Sequence, residues 1–208
     1  MEHDWQVLLV GGSGGTGKTE LTEALTRRLG ISSGQVDDFR LVLQQVSPPI
    51  ESTSLHYFVA TAQVWQQPPE RVCERLIAVA AYMSEALRIV SIHHAVTRHP
   101  YILEGDGLLP SKVAGLVFSD PETRGLVRAV FLVEKDKEQL RRNMLARGRG
   151  FSQNSREEQD NQVRTNWIYG RRLMTEAKAH RLPVLASLPW ETLPDRVLHA
   201  ASVSAYQH

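Results

Sequence analysis

Short apolar runs alternate with longer amphipathic segments along the chain. Residues 5–10 are almost continuously apolar, which is typical of a parallel strand buried on both faces. Across residues 18–29 the apolar positions recur at helical spacing, and Gly30 follows as a residue that commonly ends a helix. The chain therefore opens with a predicted strand, a glycine-rich loop and a helix.

The same alternation continues to the end of the chain. Further strands are predicted around residues 35–36, 101–103, 127–133 and 184–186. Helices are predicted at residues 41–46, 70–94, 111–117, 136–146, 160–180 and 195–201, with an irregular segment at 50–69. Strands that alternate with helices predict an α/β fold, in which a parallel sheet is covered on both faces.

Length and composition fit one ordinary globular domain, 1–208. Apolar residues make up 42% and charged residues 23%, and the formal net charge is only +1. Because such a small net charge creates no strong field, we expect neither nucleic acid nor membrane as a partner. Cys73 has no second cysteine to pair with, and we see no leader and no apolar stretch that could span a bilayer. We expect a cytoplasmic protein.

The strongest chemical signal is the segment 12–19, which we call the phosphate loop. It matches G-x-x-x-x-G-K-[ST] between a predicted strand and a predicted helix. Glycines allow backbone N–H groups to point at phosphate oxygens, the lysine reaches the β- and γ-phosphates, and the threonine hydroxyl can ligate Mg²⁺. The predicted nucleotide-binding residues here are Gly12, Ser13, Gly14, Gly15, Thr16, Gly17, Lys18 and Thr19. The alternative is a glycine-rich turn that binds nothing.

Two sets of carboxylates are predicted at the same edge of the sheet as the phosphate loop. Asp37 and Asp38 follow the second strand, where open α/β proteins bind ligands. We predict Asp37 as the base that accepts the acceptor's proton and Asp38 as a substrate contact, although Asp38 could instead cap the next helix. Glu104 and Asp106 follow the strand at 101–103. Glu104 could hold a magnesium-bound water or orient the acceptor, or serve only in a turn.

An arginine-rich stretch occupies the C-terminal half. Eight arginines and only three acidic residues lie between positions 141 and 172. The polar, glycine-containing centre of this stretch, about 147–160, predicts a mobile lid inserted in the domain. Arginines on a lid can neutralise the charge that develops during phosphoryl transfer. A solvated helical face and a nucleic-acid patch are the alternatives.

These motifs occur in the order GGSGGTGKT, VDDFR, EGDG and the arginine stretch. In that order they resemble the P-loop kinases of the nucleoside-monophosphate-kinase-like group, and most of all its 2-phosphoglycerate kinase-like set. The resemblance implies a P-loop NTPase three-layer sandwich, with a five-stranded parallel sheet in the order 2-3-1-4-5, helices on both faces and a helical arginine-rich lid. It also implies ATP with Mg²⁺ as phosphoryl donor. By position, Arg142 looks like an adenine contact, and Arg147 and Arg149 look like lid contacts to phosphate, with Arg147 acting in catalysis.

The resemblance also implies an acceptor pocket after VDDFR. For a phosphorylated acid, we expect Arg40 and His56 to face its anionic groups, although a helix-surface arginine and a packed histidine are the alternatives. Bulky residues at 57–59, where the family has small hydroxyl residues, imply an altered acceptor pocket. The sequence thus predicts an ATP-dependent kinase for a small acceptor such as 2-phosphoglycerate or another hydroxyl compound. An ATP-binding switch module with slow hydrolysis is the alternative, and a homodimer stays open.

Overall fold

The carboxyl ends of five parallel strands meet at one edge of a single sheet. The structure is a computed structural model that describes residues 4–48, 53–148 and 150–203. The strands are β1 (Val7–Gly12), β2 (Ser32–Gln35), β3 (Tyr101–Gly105), β4 (Val127–Val133) and β5 (Val184–Ala186). Their order is β2-β3-β1-β4-β5, which confirms the predicted order 2-3-1-4-5.

Eight helices are described around this sheet. They are α1 (Lys18–Leu29), α2 (Val36–Val46), α3 (Thr53–Ala60), α4 (Pro69–Val96), α5 (Pro110–Ala114), α6 (Lys137–Arg147), α7 (Arg156–Ala179) and α8 (Leu193–Val203). A π turn, Gly115–Ser119, extends α5. Single 3₁₀ turns occur at Val64–Gln66, Phe151–Gln153 and Trp190–Thr192.

The central strand β1 explains the continuous apolar run at the start of the chain. It pairs with β3 and β4, so that Val10 lies opposite both Glu104 and Val130. Successive side chains enter opposite cores: Leu9 packs with α4 on one face, and Leu8 packs with α1 and α8 on the other. Because both faces are covered, every residue of β1 is buried.

Two segments differ from the predictions near the second strand. Val36 was predicted in a strand, but it is the first residue of α2, which therefore begins five residues earlier than the predicted helix. The predicted irregular segment contains α3, whose buried Leu55 joins the sheet core. The strand prediction failed here because Ser32–Gln35 has no apolar residue and lies at the exposed edge of the sheet.

The predicted lid at 147–160 includes the end of α6, a 3₁₀ turn and the start of α7. α6 continues to Arg147, and α7 begins at Arg156 with a capping box between Ser155 and Glu158. In the connection, Phe151 is buried against α6 and α7. The second half of the predicted lid thus forms the first turn of α7.

The helix α4 corrects the expectation that no segment could span a membrane. By length and composition alone, Pro69–Val96 is apolar enough to do so. One side of this helix packs within the fold, where Met83 joins the sheet core and Cys73 and Ala80 pack against α7. The long apolar pattern therefore includes residues that cover the sheet and α7.

Candidate active site

The phosphate loop leaves β1 and enters α1 through glycines that another residue could not replace. Gly17 has a φ of 75°, in the left-handed region, and a β-carbon there would overlap the ring of Trp190. Among the described residues, no side chain caps the start of α1 at Gly17. The first N–H groups of α1 and its positive dipole end are therefore suited to an anion.

Three side chains from distant parts of the chain hold the phosphate loop. The Gly14 N–H donates to Asn166 Oδ1 at 2.9 Å. Asn143 Nδ2 donates to the Gly15 carbonyl at 2.9 Å, and Ser187 Oγ donates to the Thr16 carbonyl at 2.8 Å. The sequence analysis did not predict these three residues, because single amides and a serine carry no motif. Their bonds fix the loop to α6, α7 and the end of β5.

Lys18, Thr19 and Glu104 form the centre of the site. Lys18 is buried, and its Nζ donates to the Ser13 carbonyl at 2.9 Å. Thr19 Oγ1 donates to Glu104 Oε1 at 2.9 Å. Burial raises the pKa of Glu104, opposed mainly by the charge of Lys18. Burial lowers the pKa of Lys18, opposed by the charges of Asp106 and Glu104.

A cavity of about 460 Å³ opens beside the phosphate loop, and we call it the loop cavity. Lys18, Thr19, Arg147 and Trp190 are among the residues that line it. Its size falls within the usual range of about 300–1,000 Å³ for ligand pockets. The loop cavity is therefore large enough for the nucleoside part of a nucleotide whose phosphates lie on the phosphate loop.

Of the two described arginines that were predicted to contact the nucleotide, the lid contact Arg147 and the adenine contact Arg142, only Arg147 lines this cavity. Arg147 lines it, and its charge acts on Lys18 and on the carboxylates around it. Arg142 instead bonds Gln139 and pairs with Asp136 within the exposed surface of α6. Arg149 lies outside the described residues.

Asp37 and Asp38 have different surroundings in the first turn of α2. Asp37 Oδ1 lies 3.2 Å from Arg40 Nη2, and its charge acts on both Lys18 and Asp106. Asp38 is exposed, and its charge acts on Tyr101. The capping alternative for Asp38 is wrong, because the residue before the helix is Gln35. The structure thus brings Asp37 toward the phosphate loop and leaves Asp38 apart.

Asp106 is a site residue that the sequence analysis noted but did not assign. Burial raises its pKa, the charge of Lys18 opposes this, and the charge of Asp37 adds to it. The hydroxyl of Tyr169 donates to the Asp106 carbonyl oxygen and so fixes this turn to α7. The sequence signal that could have identified Asp106 as a site residue was its position two residues after Glu104 in the EGDG segment.

A second cavity, of about 200 Å³, contains Asp37, and we call it the Asp37 cavity. Arg40, Asp106 and Asn166 also line it. Among the described residues it shares none with the loop cavity. Arg40 and His56 were both expected to face the acceptor. Arg40 lines this cavity, whereas His56 lies outside the lining and its Nε2 is 3.0 Å from the Gln44 carbonyl.

Among the described residues, neither cavity has the side chains to hold a metal ion without help from a ligand. Within the described ranges, no group of three His, Cys, Asp or Glu side chains is placed to hold a metal ion. A hydroxyl and a carboxylate in contact, as at Thr19 and Glu104, are nevertheless the kind of oxygen ligands that Mg²⁺ uses when phosphates supply the others. The donor set is compatible with nucleotide-bound magnesium.

A comparison with a solved structure supports this fold. A gluconokinase from Sinorhizobium meliloti 1021 aligns over 98% of this chain and 93% of its own, with a TM-score of 0.54 and 16% identity. The chain has the P-loop kinase fold. A deoxyadenosine kinase from M. mycoides with bound dATP aligns over 93% of this chain and 97% of its own, with a TM-score of 0.47 and 12% identity.

No family model matches the chain, and no curated protein does. The narrower resemblance to the 2-phosphoglycerate kinase-like set is not confirmed by these structures. At such low identity, the likeness establishes the fold, and the reaction has to be argued from the site.

Proposed function

We propose that the protein transfers the γ-phosphoryl group of ATP to a hydroxyl of a small-molecule acceptor. The observation that carries this proposal is the pair of cavities on either side of Lys18 and Asp106. The loop cavity offers the phosphate loop and Arg147, and the Asp37 cavity offers a carboxylate for the acceptor. The charge of Asp37 acts on Lys18, and Asn166 both bonds the phosphate loop and lines the Asp37 cavity, which supports a terminal phosphoryl group lying between the two cavities.

The roles of the residues follow from their positions. The hydroxyl oxygen of the acceptor attacks the terminal phosphorus, a new P–O bond forms, and the bond from that phosphorus to the oxygen of the ADP leaving group breaks. Asp37 accepts the hydroxyl proton, Lys18 compensates the charge on the phosphates, and Arg147 adds a second cation from the rim. Asn166 touches both the phosphate loop and the Asp37 cavity, so it can align the two reactants.

Magnesium fits this site through the Thr19 hydroxyl, with Glu104 able to hold a water in its coordination shell. When bound, it would screen the charge of the phosphate oxygens. The neighbour described as a gluconokinase supports the reaction class through the shared fold, and it does not identify the acceptor.

Coupled ADP release tests the proposal directly. The purified protein is incubated with ATP and Mg²⁺ across polyols, sugars, hydroxy acids, amino alcohols and 2-phosphoglycerate. We expect one class to raise turnover well above the ATP-only rate, and Lys18→Ala to abolish that rise. Lys178→Ala, which removes an exposed lysine of α7, serves as the matched control and should keep full activity.

The opposite result would favour a different function. If ATP binds, as judged by a thermal shift that Lys18→Ala removes, and yet no acceptor raises ADP release, the phosphotransferase proposal fails. An ATP-binding switch module with slow hydrolysis would then account better for the intact phosphate loop.

A further inference from the structure

The size of the Asp37 cavity limits the size of the acceptor that it could hold. At about 200 Å³ it is smaller than the roughly 300–1,000 Å³ of pockets for drug-sized ligands. It lies between α2, α4 and α7, and it is separate from the loop cavity. The space therefore suits a compound of about the size of a small ring with a short side chain.

The charges that line this cavity are unfavourable for an anion. Asp37 and Asp106 both line it, and Arg40 is the sole cation among its described lining residues. The Arg40 guanidinium is already engaged, since its Nη2 lies 3.2 Å from Asp37 Oδ1. An acceptor that carries a carboxylate or a phosphate would bring further negative charge toward these two carboxylates, and the other cations that act on Asp106, Lys18 and Arg147, line the loop cavity instead.

Two arginines of the neighbouring helices α4 and α7 are engaged outside the cavity. Arg75 lies over the ring of Tyr57, and Arg164 pairs with Glu70 at 2.6 Å. Lys18 and Arg147 belong to the loop cavity, where they meet the charge of the phosphoryl donor. Sites for phosphorylated acids normally use several forked arginine contacts, and the described part of this cavity does not assemble them.

Much of the remaining lining of the cavity is apolar. Its apolar side chains, which we call the apolar wall, include Phe58, Trp65, Leu76, Val79 and Met83. Arg40 Nε is buried without a hydrogen-bond partner among the described residues, so it can donate to one oxygen of a bound compound. An acceptor held here would direct a hydroxyl toward Asp37 and pack an apolar face against the apolar wall.

We propose that the acceptor is a small hydroxyl compound without negative charge, neutral or amine-bearing, and with one apolar face. This inference rests on the proposed phosphotransferase function, because it identifies the Asp37 cavity with the acceptor site. It excludes gluconate-like and 2-phosphoglycerate-like acids as preferred acceptors.

A matched series of ligands on one carbon skeleton tests the charge requirement. The series consists of 1-phenyl-1,2-ethanediol, which is neutral, 2-amino-2-phenylethanol, which is cationic, and mandelate, which is anionic. Gluconate and 2-phosphoglycerate are added as polar acids. Binding to the wild-type protein is measured by calorimetry in the presence of a non-hydrolysable ATP analogue and Mg²⁺, and turnover is measured separately as ADP release with ATP. We expect the neutral or cationic member to bind at least 10-fold more tightly than mandelate.

The two readouts separate failure of this inference from failure of the proposed function. Tighter binding of mandelate, gluconate or 2-phosphoglycerate would overturn the inference, and so would the absence of binding by every neutral and cationic member. A different pattern would overturn the phosphotransferase function and leave the charge preference intact. In that pattern a neutral or cationic member binds but is never phosphorylated, and no acceptor in the wider panel raises ADP release. Phe58→Ala should weaken binding of the preferred member and leave binding of the ATP analogue unchanged, because Phe58 lines only the Asp37 cavity.

Discussion

At the scale of single residues, Asp37 and Asp38 provide a matched pair for testing the base. They are adjacent in α2, but only Asp37 lies in the Asp37 cavity and acts on Lys18. We expect Asp37→Asn to lower kcat for the acceptor by about 10²–10⁴-fold, the usual contribution of general base catalysis. Asp38→Asn should change it by less than about 3-fold, since one exposed charge near Tyr101 is far from the reaction. Equal losses from both variants would contradict this assignment.

Glu104 gives a second prediction, on stability and pH. Burial raises its pKa in the folded protein. A carboxyl whose pKa is higher in the folded state binds its proton more tightly in that state. The free energy of unfolding therefore falls as the pH rises from the pKa of the unfolded state to the pKa of the folded state. Above the folded-state pKa this loss of stability remains. Glu104→Gln removes this effect. We expect a higher Tm at pH 7 without nucleotide, by roughly 2–4 °C for about 1 kcal/mol recovered, and little difference near pH 4.

Thermal unfolding followed by circular dichroism checks this, with Glu74→Gln as an exposed carboxylate control on α4. A lower Tm for Glu104→Gln at pH 7 would mean that Lys18 and Thr19 stabilise the ionised carboxylate by more than burial destabilises it. In either case we expect magnesium-dependent turnover to decrease, because Gln cannot hold a magnesium-bound water as a carboxylate does.

The residues that the sequence did and did not reveal differ in a physical way. Lys18 and Thr19 were predictable because a phosphate loop needs them at fixed spacing after a strand. Asn143 and Asn166 were not, since each acts through one bond to the loop from a helix more than 120 residues away in the chain. Contacts of this kind depend on tertiary packing, which local patterns do not encode.

At the scale of elements, the two arginines of α6 that were predicted to contact the nucleotide have different surroundings. Arg147 at its C-terminal end lines the loop cavity, whereas Arg142 bonds within the exposed surface of the same helix. We expect Arg147→Ala to lower kcat by roughly 10²-fold, as for loss of one group that stabilises transition-state charge. Arg142→Ala should leave kcat and KM for ATP within about 2-fold, and a large rise in KM for that variant would instead support an adenine contact. Steady-state kinetics at saturating acceptor measures both.

The elements that sequence reasoning placed well are those with complete apolar periodicity. α1, β4 and β5 begin and end at the predicted residues. The failures lie where polar residues form regular structure at an edge. β2 has no apolar residue, so the start of α2 was misplaced. The capping box at Ser155 and Glu158 begins α7 at Arg156, whereas the helix was predicted to begin at residue 160.

At the scale of the whole molecule, the parallel sheet brings two chemically different cavities to one edge. The topology places β1 between β3 and β4, so the phosphate loop after β1 lies next to Glu104, near the end of β3, and to the Asp106 turn that follows β3. α7 then crosses this edge and contacts both the loop, through Asn166, and the turn, through Tyr169. Ligands in the two cavities should therefore bind through separate residues and meet only at this junction.

Selective loss of nucleotide binding tests this separation. A non-hydrolysable ATP analogue with Mg²⁺ at about 100 times its Kd should stabilise the wild-type protein by about 2.7 kcal/mol, a Tm rise of roughly 5–11 °C for this size. Trp190→Ala should lose most of the rise, because Trp190 packs on Gly17 and lines the loop cavity. Phe58→Ala should keep it, since Phe58 lines only the Asp37 cavity. If Phe58→Ala abolished the nucleotide-induced rise while remaining folded, the cavities could not act as separate sites, and the division of donor and acceptor between them would be wrong.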